Sequence, residues 1–257
     1  MRAARLWLLL FTLVTLFAVA GCGMPGTSGD TGNDVPPPTP TFAPPPTATI
    51  SVPMRDASFT TQDGVHLGGT VYGSGTTGVV LSPQINGLQS QWTGFARVLA
   101  AHGYLALTFD FRGRGASDGR FNTATEDTDL RAAVRYLRSQ GAKRIILMGA
   151  SLGGAVSLRV AATEPVVAVA TLSAIAGYPS QPVTSDIIKA IKAPKLFINS
   201  EGDPAAADTQ HMYDVASEPK AIHLYPGNAH GVMLFSDRNS PDLTERLLTF
   251  LATYAPA

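Results

Sequence analysis

The stretch Arg144-Ile145-Ile146-Leu147-Met148-Gly149-Ala150-Ser151-Leu152-Gly153 decides the fold. Arg144 to Met148 is a short, nearly unbroken apolar run, the pattern of a strand buried on both faces. Gly153 to Ala162 reads as a helix, so the chain must turn from strand to helix within a few residues. A serine at such a strained corner stands above the sheet. The residues two before and two after it must lack bulk, because the backbones cross closely there, and Gly149 and Gly153 hold those places. Taken alone, the spacing also fits a plain glycine-rich turn.

Working outward from this corner, β-rich runs alternate with helical patterns, the signature of βαβ units. Upstream, Ala57 to Tyr72 reads as a hairpin turning at Gln62-Asp63-Gly64, and Gly78 to Leu81 as a buried strand. A helix over Gln91–Ala101 and a strand over Tyr104–Phe109 come next. A helix then runs from Thr125 and Asp127 to Arg138, with Leu130, Val134 and Leu137 on one face, and Gly141 ends it. Downstream, strands are expected at Val166–Leu172, Lys195–Asn199 and Ala221–Leu224, with helices at Ala205–Ala216 and Leu243–Tyr254. The expected architecture is α/β: a mostly parallel central sheet with helices on both faces, in one domain over residues 54–257.

A serine hydroxyl is a weak nucleophile at neutral pH, so Ser151 would need an imidazole at the same carboxyl edge of the sheet. Among the five histidines, His66 falls in the early hairpin, His102 at a helix end, His211 within a helix and His223 within a strand. His230 differs, lying in the loop Pro226-Gly227-Asn228-Ala229-His230-Gly231 past the last strand, where it could swing over the corner. An exposed turn histidine is the plain alternative. The imidazolium formed in a reaction would need a carboxylate. Asp203, in Ser200-Glu201-Gly202-Asp203-Pro204 after the Lys195–Asn199 strand, is the best placed. Glu201 is its near rival, and capping a helix before Pro204 would be a plainer task for Asp203. Asp110 also ends a strand, but it precedes Ser151 and so breaks the chain order serine, aspartate, histidine.

With these residues in view, the chain from 57 to 257 resembles an α/β-hydrolase, close to the small esterase and dienelactone-hydrolase-like branches. Phe109-Asp110-Phe111-Arg112-Gly113-Arg114-Gly115-Ala116-Ser117-Asp118-Gly119 resembles the strand-end segment of that family, and Trp92 fits as well. The resemblance implies catalysis by Ser151, Asp203 and His230 through an acyl-enzyme, with no metal and no organic cofactor. In many members the strand before the first helix ends in His-Gly, whereas this chain has Leu81-Ser82-Pro83-Gln84-Ile85-Asn86-Gly87. Pro83 has no N–H to give. An oxyanion hole would combine the N–H of Leu152 with that of Ile85 or Gln84. The segment Ala174–Ala193 is long enough for one short helix but not for a large lid, which favours small or exposed carboxylic esters. A peptidase, an acyltransferase or a lactone hydrolase would use the same three residues. A non-catalytic binding module at the cell surface is the alternative from another class.

The chain's beginning indicates where it works. Arg2 and Arg5 precede an uncharged apolar run from Leu6 to Ala20, which ends in Val19-Ala20-Gly21-Cys22. This resembles a bacterial lipoprotein signal, with residues 1–21 removed and Cys22 lipidated. Residues 22–53 hold 9 of the 19 prolines, a composition that cannot bury a core and reads as a tether. The expected location is extracytoplasmic, anchored by lipid to a bacterial membrane. Cys22 is the only cysteine, which excludes an intramolecular disulfide or a thiolate zinc cluster. With 19 Lys+Arg against 19 Asp+Glu and no basic run, no nucleic-acid partner is expected.

Overall fold

The structure is a computed structural model that describes residues 51–178 and 180–257. The expected signal, the lipidation site Cys22 and nearly all of the tether lie outside the described residues.

Eight strands form one sheet in the order β1-β2-β4-β3-β5-β6-β7-β8. They are β1 (Met54–Thr60), β2 (His66–Tyr72), β3 (Thr77–Ser82), β4 (Leu105–Phe109), β5 (Arg144–Ala150), β6 (Ala168–Leu172), β7 (Lys195–Ser200) and β8 (Lys220–Tyr225). The β1–β2 and β2–β4 pairs are antiparallel, and every other pair is parallel. All residues of β3, β4, β6 and β7 are buried, as a sheet covered on both faces requires. β1, at one edge, buries only Ala57 and Phe59.

Successive strand residues feed opposite cores. Ile145 and Leu147 of β5 pack with α2 (Glu126–Ser139), α3 (Leu152–Ala161), α4 (Ser185–Ala190) and α5 (Ala206–Val215). Ile146, Met148 and Ala150 pack with α1 (Thr93–Ala101) and α6 (Ser240–Tyr254) on the other face. The expected helix at Gln91 is a 3-10 turn over Gln89–Trp92 that passes into α1 at Thr93. α6 begins at Ser240, before the expected Leu243, because Pro241 sits in its first turn, where a missing N–H costs nothing. Among the described residues of the Ala174–Ala193 segment the one helix or strand is α4, six residues long.

The register aligns the strand ends that matter. Ala150 of β5 faces Leu172 of β6, and Leu172 faces Ile198 of β7. The residues that follow, Ser151, Ser173, Asn199 and Ser200, therefore stand side by side at one carboxyl edge.

Candidate active site

Ser151 is the helix cap between β5 and α3, with φ 51° and ψ −117°. A non-glycine residue in this region costs about 1–3 kcal/mol, so the surroundings must impose it. They do so by closeness. A Cβ on Gly149 would run into the Gly153 backbone, and one on Gly153 would meet the Ser82 carbonyl and lie 2.5 Å from that of Pro83. The N–H of Ser151 donates to the Leu172 carbonyl at 2.8 Å, tying the corner to β6. Ser151 itself is 2% exposed.

His230 and Asp203 meet directly, with Nδ1 2.6 Å from Oδ2. Because a carboxylate only accepts, Nδ1 carries a proton and Nε2 of the neutral ring is left as an acceptor. The Asp203 side chain is fully buried while that of His230 is 35% exposed, so the acid is fixed and the imidazole faces outward. The other oxygen of Asp203 accepts the Ala205 N–H at 2.7 Å. Glu201 is exposed, and the geometry thus singles out Asp203 as the partner of the imidazole.

The neighbours of His230 bring its loop onto the serine corner. A Cβ built on Gly231 would lie 3.3 Å from Cβ of Ala150, the residue before Ser151, and 2.5 Å from the Gln84 side-chain oxygen. That oxygen also accepts from the Val232 N–H at 3.4 Å. Gln84 therefore holds the histidine loop by its side chain, a role distinct from the backbone donor expected of it. Leu152 is buried at the start of α3, where the first N–H groups have no partner within the helix. With Gly153 against the Pro83 carbonyl, the segment leading into Gln84 and Ile85 meets the first turn of α3. Trp92 secures that segment by donating its indole N–H to the Ser82 carbonyl at 3.1 Å.

Other strand-end residues are occupied structurally. Asp110 accepts the Gln89 and Ala116 N–H groups at 2.7 and 3.0 Å. Arg112 is held by Asp63 at 2.7 Å and Asp129 at 2.6 Å. Glu126, at the start of α2, is fully buried with neither carboxylate oxygen hydrogen-bonded among the described residues. Burial pushes its carboxyl up to about 8.

Two cavities border His230. One, of about 330 Å³, is walled by Ile175, Pro204, Ala205 and Asp208. The other opens towards Asn228, Met233 and Asp237. Among the described residues no group of three or more His, Cys, Asp or Glu side chains is placed to hold a metal ion. Two hydroxyls beneath the loop escaped sequence reasoning. Ser173 accepts the Gly231 N–H at 2.9 Å, and Ser200 donates to the Ala229 carbonyl at 2.8 Å. No local motif marks either serine.

Comparison with known proteins agrees with this architecture. Residues 65–184 match the model of the alpha/beta hydrolase family. A polyketide transferase, grgF, of a Penicillium species is 32% identical over 130 residues, a match spanning 47% of this chain and 44% of that protein. Its crystal structure, described as an alpha/beta hydrolase, superposes with a TM-score of 0.68 at 20% identity, covering 79% of this chain and 99% of the other. An esterase of Pyrococcus furiosus gives 0.71 at 20% identity over 79% and 92%. The esterase domain of a Rhodothermus marinus protein gives 0.63 at 23% over 79% and 99%.

Proposed function

We propose that this chain, whose fold is that of the α/β-hydrolases, is a serine hydrolase of small or exposed carboxylic esters. The observation that carries the reading is the 2.6 Å bond between the His230 ring and buried Asp203, in a loop packed against the strained Ser151 corner. In the reaction, Nε2 of His230 takes the proton of Ser151 as Oγ bonds to the substrate carbonyl carbon. Asp203 holds the tautomer and stabilises the imidazolium. The carbonyl oxygen, now negative, is met by the N–H of Leu152 and that of Gln84 or Ile85. The imidazolium returns its proton to the departing alkoxide as the carbon–oxygen bond breaks and the acyl-enzyme forms. Water, deprotonated by the same ring, then bonds to the acyl carbon, and the imidazolium returns that proton to Oγ of Ser151 as the Oγ–acyl bond breaks and the acid leaves. The short 174–193 segment leaves room for substrates that need no enclosing tunnel.

The test is covalent labelling. A fluorophosphonate probe is expected to modify Ser151 in the wild type, to give no adduct in Ser151→Ala and to react far more slowly with His230→Ala. A folded wild-type protein that takes no label would turn the reading towards a binding module. A second reading, acyl transfer to an acceptor other than water, is favoured by the partial similarity to a polyketide transferase. Product analysis with and without added alcohol acceptors separates the two.

For location, we propose a lipid anchor at Cys22 on a bacterial membrane, facing outside the cytoplasm. The support is the Arg2 and Arg5 charges, the apolar run and the Val19-Ala20-Gly21-Cys22 box. Mass spectrometry of the mature protein is expected to find a lipid-modified Cys22 as first residue, and Cys22→Ser to release the domain from membranes.

A further inference from the structure

Ser151 and Ser173 are the two non-glycine residues with positive φ among the described residues. Strain at Ser151 is explained by the corner, but Ser173, at φ 52°, lies outside it. It is fully buried one residue beyond β6. A glycine would adopt that conformation without strain, so what serine adds there is its hydroxyl. The oxygen accepts from the Gly231 N–H at 2.9 Å and its proton goes to the Asn199 side-chain oxygen at 2.6 Å. Asn199, also fully buried, accepts the Ser200 N–H at 2.8 Å through the same oxygen. Its amide donates to the Thr209 hydroxyl at 2.9 Å, and that hydroxyl donates to the Ala205 carbonyl at 3.0 Å. Ala205 is the residue whose N–H binds Asp203.

An unbroken chain of bonds thus runs from the peptide after His230 to the loop that bears its carboxylate. The Ser200 hydroxyl, on the Ala229 carbonyl, holds the peptide before it. The Asp203 bond fixes how the imidazole rotates, but the distance of Nε2 from Ser151 depends on where the backbone at 230 sits. We propose that Ser173 and Asn199 are positioning residues that set the His230 backbone at the height where its ring reaches Ser151. The assignment rests on the serine-hydrolase reading.

The experiment uses Ser173→Gly, which permits the same backbone conformation without strain and removes the whole side chain, beside Ser173→Ala, which removes only the hydroxyl and keeps the strain. Fluorophosphonate labelling rate at Ser151, kcat and KM on p-nitrophenyl acetate, and Tm are measured for each. A misplacement of about 1 Å costs on the order of 100-fold. Ser173→Gly is therefore expected to lose roughly 10- to 100-fold in kcat and in labelling rate, with KM within about twofold. Ser173→Ala is expected to lose the same activity and to melt lower. Wild-type kcat and labelling in Ser173→Gly overturn the proposal, as does a loss confined to KM or Tm. A wild type that takes no label is a failure of the hydrolase reading, seen before any variant is compared.

Discussion

At the Ser151 corner, position is enforced by exclusion: Gly149, Gly153 and the carbonyls of Ser82 and Pro83 leave no space for the chain to sit elsewhere. At the His230 loop it is enforced by attachment: Ser173 and Asp203 accept hydrogen bonds from the loop and Ser200 donates one to it. The two mechanisms fail differently. Steric confinement is rigid, and a single added methyl group opposes it. A hydrogen-bonded loop tolerates the loss of one bond in fold but not in alignment, since alignment is where its bonds act.

Replacing Asp203 by Asn gives the largest expected change and strikes the attached loop. An amide would donate to Nδ1, force the wrong tautomer and lower kcat by about 10⁴-fold, while the circular dichroism spectrum stays that of the wild type. Gly153→Ala strikes the confined corner, and the signature reverses. The new methyl meets backbone, so stability falls by about 3 kcal/mol in urea unfolding and activity falls with it. A variant that lost activity with unchanged unfolding would break the contrast. Trp92→Phe removes the bond to the Ser82 carbonyl beside the corner, and is expected to cost about 1–2 kcal/mol, read by the same unfolding.

The smallest effect on activity is expected from outside both regions. Glu126 has a carboxyl raised by burial to about 8 in the folded state. The folded chain therefore holds this proton more tightly than the unfolded one. That contribution to stability is complete below the carboxyl's ordinary range, near 4.5, and is lost as pH rises through about 8. Glu126→Gln is expected to match the wild type at pH 4 and to be the more stable protein at pH 9 in urea titrations. Equal slopes of stability against pH in both proteins would contradict the shift.

The corner is legible in the sequence because its causes are local: an apolar run, two glycines and a helix within a dozen residues. The alternation of apolar runs with helical patterns likewise places the sheet and its two covers. Asp203 and His230 follow from strand ends and chain order, although sequence leaves Glu201 beside Asp203, and burial is what separates the two. Ser173 and Asn199 are not legible. Their partners lie 58 and 26 residues away, and a serine after a strand and an asparagine near the end of one are ordinary in any α/β domain. The role of the Gln84 side chain is hidden for the same reason, its contact with Val232 bridging 148 residues.

The brevity of α4 bears on how the proposed hydrolase would admit its substrate. With a six-residue helix as the one regular element among the described residues of 174–193, the proposed reaction would need no helical lid to open there, and an ester displayed at the end of a polymer or on a particle larger than the enzyme would be as reachable as a free one.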